Sequence, residues 1–168
     1  MKKLLFIWLV GVLVFLFESC SESRQVKYVF YFIGDGMGVN QVNGTEMYLA
    51  ERDSVIGVKG LSFASFPVRN YATTYSSYHG VTCSAAAGTA LATGEKTKNG
   101  TIGMDKEQKK PLYSVAVRAK EAGRKVGIIT SVGMNHATPA AFYGHQPRRT
   151  MYFELGKDAI RTGFDLYG

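Results

Sequence analysis

Apolar residues in this chain cluster into a few runs, which glycine-rich or polar stretches separate. Residues 26–33 (VKYVFYFI) are almost all β-branched or aromatic, and this pattern predicts a strand buried on both faces, as in a parallel sheet. The run leads directly into a glycine-rich turn at 34–38 (GDGMG). A helix is predicted next, over Val39 to Arg52, where apolar residues recur among polar ones.

Two further helices and a second strand are predicted downstream. The alanine-rich stretch from Ser84 to Thr93 is followed by a glycine, as is typical of a helix and its C-terminal end. A helix over Pro111 to Ala122 begins with proline and stops before another glycine. Val126 to Thr130 then predicts a short buried strand. Because helix, glycine and apolar strand form half of a βαβ unit, we predict one α/β unit with a parallel sheet over 26–168.

The first 19 residues predict an export signal rather than a folded element. Two lysines precede an uncharged apolar run of 14 residues. This run is shorter than the roughly 20 residues of a membrane span, but it suits a signal peptide. Ser19 and Cys20 follow after Glu18, which predicts a lipoprotein with acylated Cys20 and a short tether at 20–25. An ordinary signal peptide or an uncleaved anchor are the alternatives, and all three predict export, to the periplasm or the outer membrane.

Composition and charge narrow the class of protein without identifying it. The chain has 168 residues, of which 46% are apolar and 20% charged, as in ordinary globular domains. The formal charge of +7 suits an anionic substrate or surface. The basic residues are scattered, however, and no nucleic-acid-binding motif accompanies them, so we predict no nucleic-acid partner. Cys83 is the only cysteine besides Cys20, which excludes a disulfide scaffold.

Two residues at the ends of predicted elements could carry chemistry. Asp35 lies in the glycine-rich turn after a predicted strand, at the sheet edge where open α/β folds bind ligands. Ser84 begins the alanine-rich helix, whose unpaired N–H groups favour a bound anion such as phosphate. Taken alone, Asp35 is equally compatible with a solvated turn aspartate, and the local evidence at Ser84 favours an ordinary helix-capping serine.

A third group of candidates follows the strand predicted at Val126 to Thr130. His136 and Thr138 are two residues apart, so in an extended segment their side chains would lie on one face. Imidazole nitrogen and hydroxyl oxygen can both bind a small divalent ion. Arg149 carries a guanidinium that can grip a phosphate through two donors. A turn histidine and an exposed arginine would explain the same residues.

Three motifs in order resemble the alkaline phosphatase family. They are the strand followed by GDGMG, then TxSAAAGTA, then HATPAAFYGHxxxR, and they extend from about Val29 to Arg149. The resemblance implies an alkaline-phosphatase-like fold, an α/β sandwich that contains a parallel sheet with flanking helices. It also implies hydrolysis of phosphate monoesters through a phosphoserine intermediate, with Zn²⁺ and Mg²⁺ as cofactors. Another hydrolase of the superfamily, such as a phosphodiesterase, is an alternative.

The resemblance implies a role for each matched residue. Asp35 corresponds to the aspartate that bridges a zinc and the magnesium, and Ser84 to the serine that is phosphorylated. Thr138 corresponds to a hydroxyl ligand of the magnesium, and His136 stands in or near that same site. Arg149 corresponds to the arginine that holds the non-bridging phosphate oxygens.

Two departures from the family pattern affect these expectations. Cys83 stands where many members have an aspartate that orients the arginine. The family's remaining metal ligands lie far downstream of the matched arginine, whereas this sequence stops at Gly168 and has only three histidines. We therefore expect an N-terminal, truncated fragment that is weak or inactive alone, and a homodimer only at full length. A non-catalytic exported lipoprotein is the alternative from a different class.

Overall fold

The computed structural model describes residues 26–168, and the chain divides into two units whose boundary in the sequence lies between Ile33 and Gly34. In the first unit, residues 26–33 form neither helix nor strand, and Val29 and Phe32 are 82% and 88% exposed. The prediction of a doubly buried strand is therefore wrong here. A strand requires hydrogen bonds to neighbouring strands, which an apolar run cannot supply for itself. The predicted signal peptide, the lipid site at Cys20 and the tether lie outside the described residues.

In the second unit, residues 34–168 contain five α-helices and one 3₁₀ turn. The first two helices, Val39–Arg52 and Ser84–Thr93, have the predicted bounds. The third helix begins later than predicted, because the side chain of Ser114 caps it by accepting a hydrogen bond from the N–H of Val117 at 3.1 Å. The elements are α1 (Val39–Arg52), the 3₁₀ turn (Ser62–Ser65), α2 (Ser84–Thr93), α3 (Val115–Glu121), α4 (Ala137–Ala140) and α5 (Tyr152–Arg161).

A small parallel sheet lies in the same unit. Strand β1 (Gly127–Ile128) pairs in parallel with β2 (Leu166–Tyr167), so the predicted parallel sheet is present but short. Neither β2 nor α5 was predicted from the sequence. The carboxylate of Asp165 joins the strands by accepting hydrogen bonds from Val126 N–H and the Lys120 ammonium, both at 2.9 Å. The Lys120 hydrogen bond, followed by those of Val126 and Lys125, holds the pKa of this carboxyl well below its usual range.

The buried core brings α2 and α4 together. Its members are small or apolar residues from both helices, from α5 and from the segments outside the helices and strands: Ala85, Ile102, Val126, Ala137, Ala140, Tyr143, Leu155 and Phe164. Contact between the two helices is close at Gly88, where an added Cβ would lie 3.0 Å from the Cβ of Ala141. This packing brings the start of α2 and the start of α4 to one region of the unit.

No helix among residues 26–168 combines the length and the apolar character that crossing a bilayer requires.

Candidate active site

The predicted nucleophile lies at the start of α2. Ser84 is the first residue of the helix, and its hydroxyl donates a hydrogen bond to Oδ1 of Asp35 at 3.1 Å. Ser84 is half-buried, whereas Asp35 is exposed. The backbone N–H groups of the first helical turn have no partners inside the helix, so this position combines a hydroxyl with a favourable environment for an anion.

Thr138 approaches the same carboxylate from the other side. Its hydroxyl donates to Oδ2 of Asp35 at 2.7 Å, so the two carboxylate oxygens each accept from a different hydroxyl. Asp35 comes from the turn that begins at Gly34, where Gly36 has a φ of +72°, a value that favours glycine. We call Asp35, Ser84 and Thr138 the carboxylate cluster.

His136 lies beside this cluster in the sequence but has a different neighbour. It is the N-cap residue of α4, so the predicted extended segment with His136 and Thr138 on one face is wrong. The segment turns into a helix at Ala137 instead. The exposed His136 ring stacks on the ring of Tyr152, with centroids 5.7 Å apart, whereas the Asp35 carboxylate accepts hydrogen bonds from Ser84 and Thr138.

The carboxylate cluster offers part of a site for a hard cation. A carboxylate and a threonine hydroxyl are oxygen donors, the kind that Mg²⁺ prefers, and they already converge within 2.7 Å of each other. Residues 26–168 contain no group of three or more His, Cys, Asp or Glu side chains that could hold a metal ion. The donor set therefore fits magnesium in chemistry, and the described residues supply only some of its ligands.

Cys83, the residue before Ser84, is connected to Arg149 through Gly100. The Cys83 thiol accepts a hydrogen bond from the N–H of Gly100 at 3.1 Å, and the Gly100 carbonyl accepts one from the N–H of Arg149 at 2.7 Å. Burial alone would raise the pKa of the thiol. The N–H groups of Ala86, Gly100 and Ala85 and the positive charge of Arg149 outweigh burial, so the pKa of Cys83 is lowered.

This electrostatic effect places the charge of Arg149 near the start of α2. Arg149 is half-buried, whereas its neighbour Arg148 is exposed. Spacing in the sequence favours Arg149 over Arg148 as the phosphate-binding arginine, and this assignment stays a prediction.

Sequence reasoning missed one residue of this region. The side chain of Asn99 accepts from the N–H of Cys83 at 3.1 Å and donates to the carbonyl of Val81 at 3.0 Å. Asn99 and Gly100 form an Asn-Gly pair within a polar loop, a sequence that indicates a turn. That signal could have located the turn, but not its partners. We call Cys83, Asn99, Gly100 and Arg149 the thiol cluster.

Comparison with known proteins gives a consistent result. Residues 26–165 match the family model described as alkaline phosphatase. The chain is 36% identical over 134 residues to alkaline phosphatase 4 of Bacillus subtilis, covering 77% of this chain and 28% of that protein. It also resembles the structure of a cold-active alkaline phosphatase from a psychrophilic Shewanella, with 35% identity, a TM-score of 0.69, and coverage of 80% and 33% of the two chains.

A third similar protein is a mutant of the TAB5 alkaline phosphatase in which a histidine is replaced by aspartate. Its structure is described as having Mg bound, and it has 31% identity and a TM-score of 0.56, with coverage of 57% of this chain and 28% of that one. This chain therefore spans about a third or less of the length of these proteins. The predicted fold class and the predicted family resemblance are both confirmed.

Proposed function

Because the chain belongs to the alkaline phosphatase family, we propose that it supplies the nucleophile and the phosphate-binding arginine of a phosphate monoesterase. The observation that carries this proposal is the hydroxyl of Ser84, which lies at the start of α2 and 3.1 Å from the Asp35 carboxylate. A serine at a helix N-terminus can meet a phosphate group whose charge the free N–H groups stabilise.

In the proposed reaction, Ser84 Oγ attacks the phosphorus atom of the monoester. The Oγ–P bond forms as the hydroxyl gives up its proton to water, and the bond from phosphorus to the leaving oxygen breaks, so the products are a phosphoserine and an alcohol that takes up a proton from water. Water then breaks the Oγ–P bond and releases phosphate. Before attack, Asp35 Oδ1 holds the hydroxyl proton and so orients Oγ. Arg149 and the N–H groups of α2 stabilise the non-bridging oxygens.

Asp35 and Thr138 are the residues that would hold magnesium, and Asp35 would also contribute to a zinc site. A magnesium-site role for His136 rests on the family resemblance alone, because its ring stacks on Tyr152. When bound, such ions would lower the pKa of the serine hydroxyl and stabilise negative charge on the attacking and leaving oxygens. The support from this chain is the convergence of Asp35 and Thr138 at 2.7 Å, together with the Mg in the structure of the similar TAB5 mutant. Zinc rests on the family resemblance alone.

One observation favours a second candidate, a non-catalytic exported protein. Residues 26–168 offer no complete set of metal ligands. A two-metal displacement needs all of its ligands, so we expect the 168-residue chain to hydrolyse phosphate monoesters weakly or not at all when assayed alone. Activity of this chain equal to that of a complete relative would exclude the non-catalytic candidate.

The proposed nucleophile can be tested in a chimera. The chimera is Bacillus subtilis alkaline phosphatase 4 in which the aligned segment is replaced by the matching segment of this chain. Reaction with a labelled phosphate monoester, quenching at low pH and peptide mapping should place the label on Ser84. Ser84→Ala should remove the label and most of kcat.

A matched control is Ser114→Ala, since Ser114 also stands at a helix start but hydrogen-bonds to Val117 and Phe142. This variant should lose stability and keep the label. A label on Cys83, or full activity in Ser84→Ala, would contradict the assignment of the nucleophile.

We further propose export with a lipid on Cys20. The support is the apolar run of 14 residues that ends directly before Glu18, Ser19 and Cys20. Cells that express the full chain should incorporate a lipid analogue into the wild type and not into Cys20→Ala, with Cys83→Ala as the matched cysteine control. Equal labelling of wild type and Cys20→Ala would overturn the lipid proposal. A homodimer at full length is also proposed, on the family resemblance alone.

A further inference from the structure

The side-chain amide of Asn99 hydrogen-bonds to two backbone groups of another segment, as the backbone of a neighbouring strand would. Its Oδ1 accepts from the N–H of Cys83 at 3.1 Å, and its Nδ2 donates to the carbonyl of Val81 at 3.0 Å. The two partners fix the orientation of the amide, because an N–H must meet the oxygen and a carbonyl must meet the nitrogen. The residues directly before Ser84 are therefore held by a side chain from a distant loop.

The next residue continues the connection to Arg149. Gly100 donates its N–H to the Cys83 thiol at 3.1 Å, and its carbonyl accepts from the N–H of Arg149 at 2.7 Å. Its φ of +87° lies in the region that favours glycine. One two-residue turn thus contacts both the residue before the nucleophile and the backbone of the proposed phosphate-binding arginine.

The segment after this turn runs beside the segment that carries Arg149. Ile102 and Gln146 exchange two backbone hydrogen bonds of 2.9 Å in an antiparallel bridge. Ile102 is fully buried. Because the bridge is anchored in the core, the turn at Asn99 has a fixed position relative to Gln146, and a displacement of the turn would move Cys83 and Arg149 relative to each other.

We propose that Asn99 is a positioning residue that sets the distance between Ser84 and Arg149, so that both engage the same phosphate group. This inference rests on the proposed function, since it presumes that Ser84 and Arg149 share one substrate. Its geometric part, the coupling of Cys83 to Arg149 through Asn99 and Gly100, can be measured without any catalysis.

The thiol of Cys83 reports on this geometry in the full 168-residue chain. With Cys20→Ser, Cys83 is the only cysteine, and its alkylation by iodoacetamide is followed as a function of pH. The thiolate is the reactive form, and the Gly100 N–H and the Arg149 charge both stabilise it. Asn99→Ala should move the midpoint of the pH profile upward and slow alkylation at neutral pH by about 3-fold or more.

Gln108→Ala is the matched control. Gln108 also ties this loop, donating to Thr101 Oγ1 at 2.8 Å and to the carbonyl of Pro147 at 2.7 Å. It makes no hydrogen bond to Cys83, so its variant should lower the melting temperature and leave the pH midpoint unchanged. Gly100→Ala is a second, milder variant, because an added Cβ meets nothing within 4 Å and only the positive φ is disturbed. It should move the midpoint in the same direction as Asn99→Ala.

The functional part is tested by a double-mutant cycle in the chimera. Asn99→Ala should lower kcat/KM by about 10- to 100-fold through misplacement of the reacting groups. If Asn99 acts by placing Arg149, the loss in Asn99→Ala with Arg149→Ala should be clearly smaller than the product of the two single losses.

Each outcome decides one part of the inference. An unchanged thiol profile in both Asn99→Ala and Gly100→Ala would overturn the coupling, as would an equal shift in Gln108→Ala. A shifted profile with fully multiplicative losses in the cycle would overturn the positioning role. A shifted profile in the 168-residue chain, together with a chimera that never labels Ser84, would remove the proposed function and leave the coupling standing.

Discussion

The two sides of Ser84 are built in different ways. In the thiol cluster, the Asn99–Gly100 turn makes four hydrogen bonds to Val81, Cys83 and Arg149, and the bridge between Ile102 and Gln146 anchors it in the core. In the carboxylate cluster, an exposed aspartate is joined to the rest of the site by two hydroxyls.

The thiol cluster is complete within the described residues, whereas the carboxylate cluster contains only some of the ligands that a cation would need. The thiol cluster is held by backbone and amide hydrogen bonds that need nothing outside the chain, so the arginine and the helix start should keep their geometry. The carboxylate cluster presents two kinds of oxygen donor and no cluster of further acidic or histidine ligands within residues 26–168. Under the proposed function, the thiol cluster and Ser84 would bind the phosphate, whereas the carboxylate cluster would supply only some of the oxygen ligands of a cation.

The largest expected effect tests the thiol side. Arg149→Ala in the chimera should reduce transition-state stabilisation by roughly 2–4 kcal/mol, by analogy with the loss of one donor to a developing oxyanion. Arg148→Ala is the matched control, because Arg148 is an exposed arginine one residue away. Steady-state kinetics of both variants measure the difference. Equal losses would show that the two arginines contribute only general positive charge.

The next prediction tests the packing that joins the two sides. Gly88→Ala should destabilise the chain by about 1–2 kcal/mol, since the new Cβ would lie 3.0 Å from that of Ala141 across the α2–α4 contact. Gly156→Ala is the control, because Gly156 lies within α5 and an added Cβ meets nothing within 4 Å. That variant should stabilise by about 0.5–1 kcal/mol. Thermal or denaturant unfolding should give opposite signs, and the same sign would contradict the close α2–α4 contact.

A smaller effect is expected on the carboxylate side. Thr138→Val keeps the shape of the side chain and removes the hydroxyl that donates to Asp35. Stability should fall by only about 0.5–1 kcal/mol, because water can reach the exposed carboxylate. The Mg²⁺ concentration for half-maximal activity of the chimera should rise. Thr93→Val, which removes a hydroxyl at the far end of α2, should leave this concentration unchanged.

Asp165, which lies beside the small sheet and outside both clusters, provides a reference for thermal stability. Asp165→Asn should lower the melting temperature at neutral pH by a few degrees, because Lys120, Lys125 and Val126 N–H all favour the ionised carboxyl. The folded pKa is depressed, so this stabilisation is fully present above the ordinary carboxyl pKa of about 4. It is lost as the pH falls through the depressed value. A difference between wild type and variant that stays constant down to strong acid would contradict this account.

Local elements were predictable because their signals are local. The alanine run closed by Gly94 gave α2 with its observed bounds, and the glycine-rich turn placed Asp35 at the right position to meet Ser84. The strand predicted at residues 26–33 is not formed, because a strand depends on neighbouring strands that the sequence of the run does not specify. The extended segment predicted at His136 is not formed, because His136 is an N-cap residue and the chain is helical from Ala137 onward.

The convergence of distant residues could be predicted only through family resemblance. Asp35 and Thr138 are 103 positions apart in the chain, and no periodicity relates them. Asn99 was missed for a related reason. Its role depends on two backbone groups near Ser84, and a side chain that pairs with backbone leaves no pattern in the partner's residue types.

The smallest expected effect concerns Cys83, the one group that could compete with Ser84 as nucleophile. Its lowered pKa makes the thiolate more accessible, yet the thiol accepts from Gly100 N–H, while the hydroxyl that meets the Asp35 carboxylate belongs to Ser84. Cys83→Ala should therefore keep the label on Ser84 and most of kcat in the chimera. Loss of one weak hydrogen bond should cost about 1 kcal/mol or less in stability. Cys83→Ser, which restores a neutral acceptor for Gly100 N–H, should recover part of that loss. Disappearance of the label in Cys83→Ala would show that the thiol takes part in the covalent step.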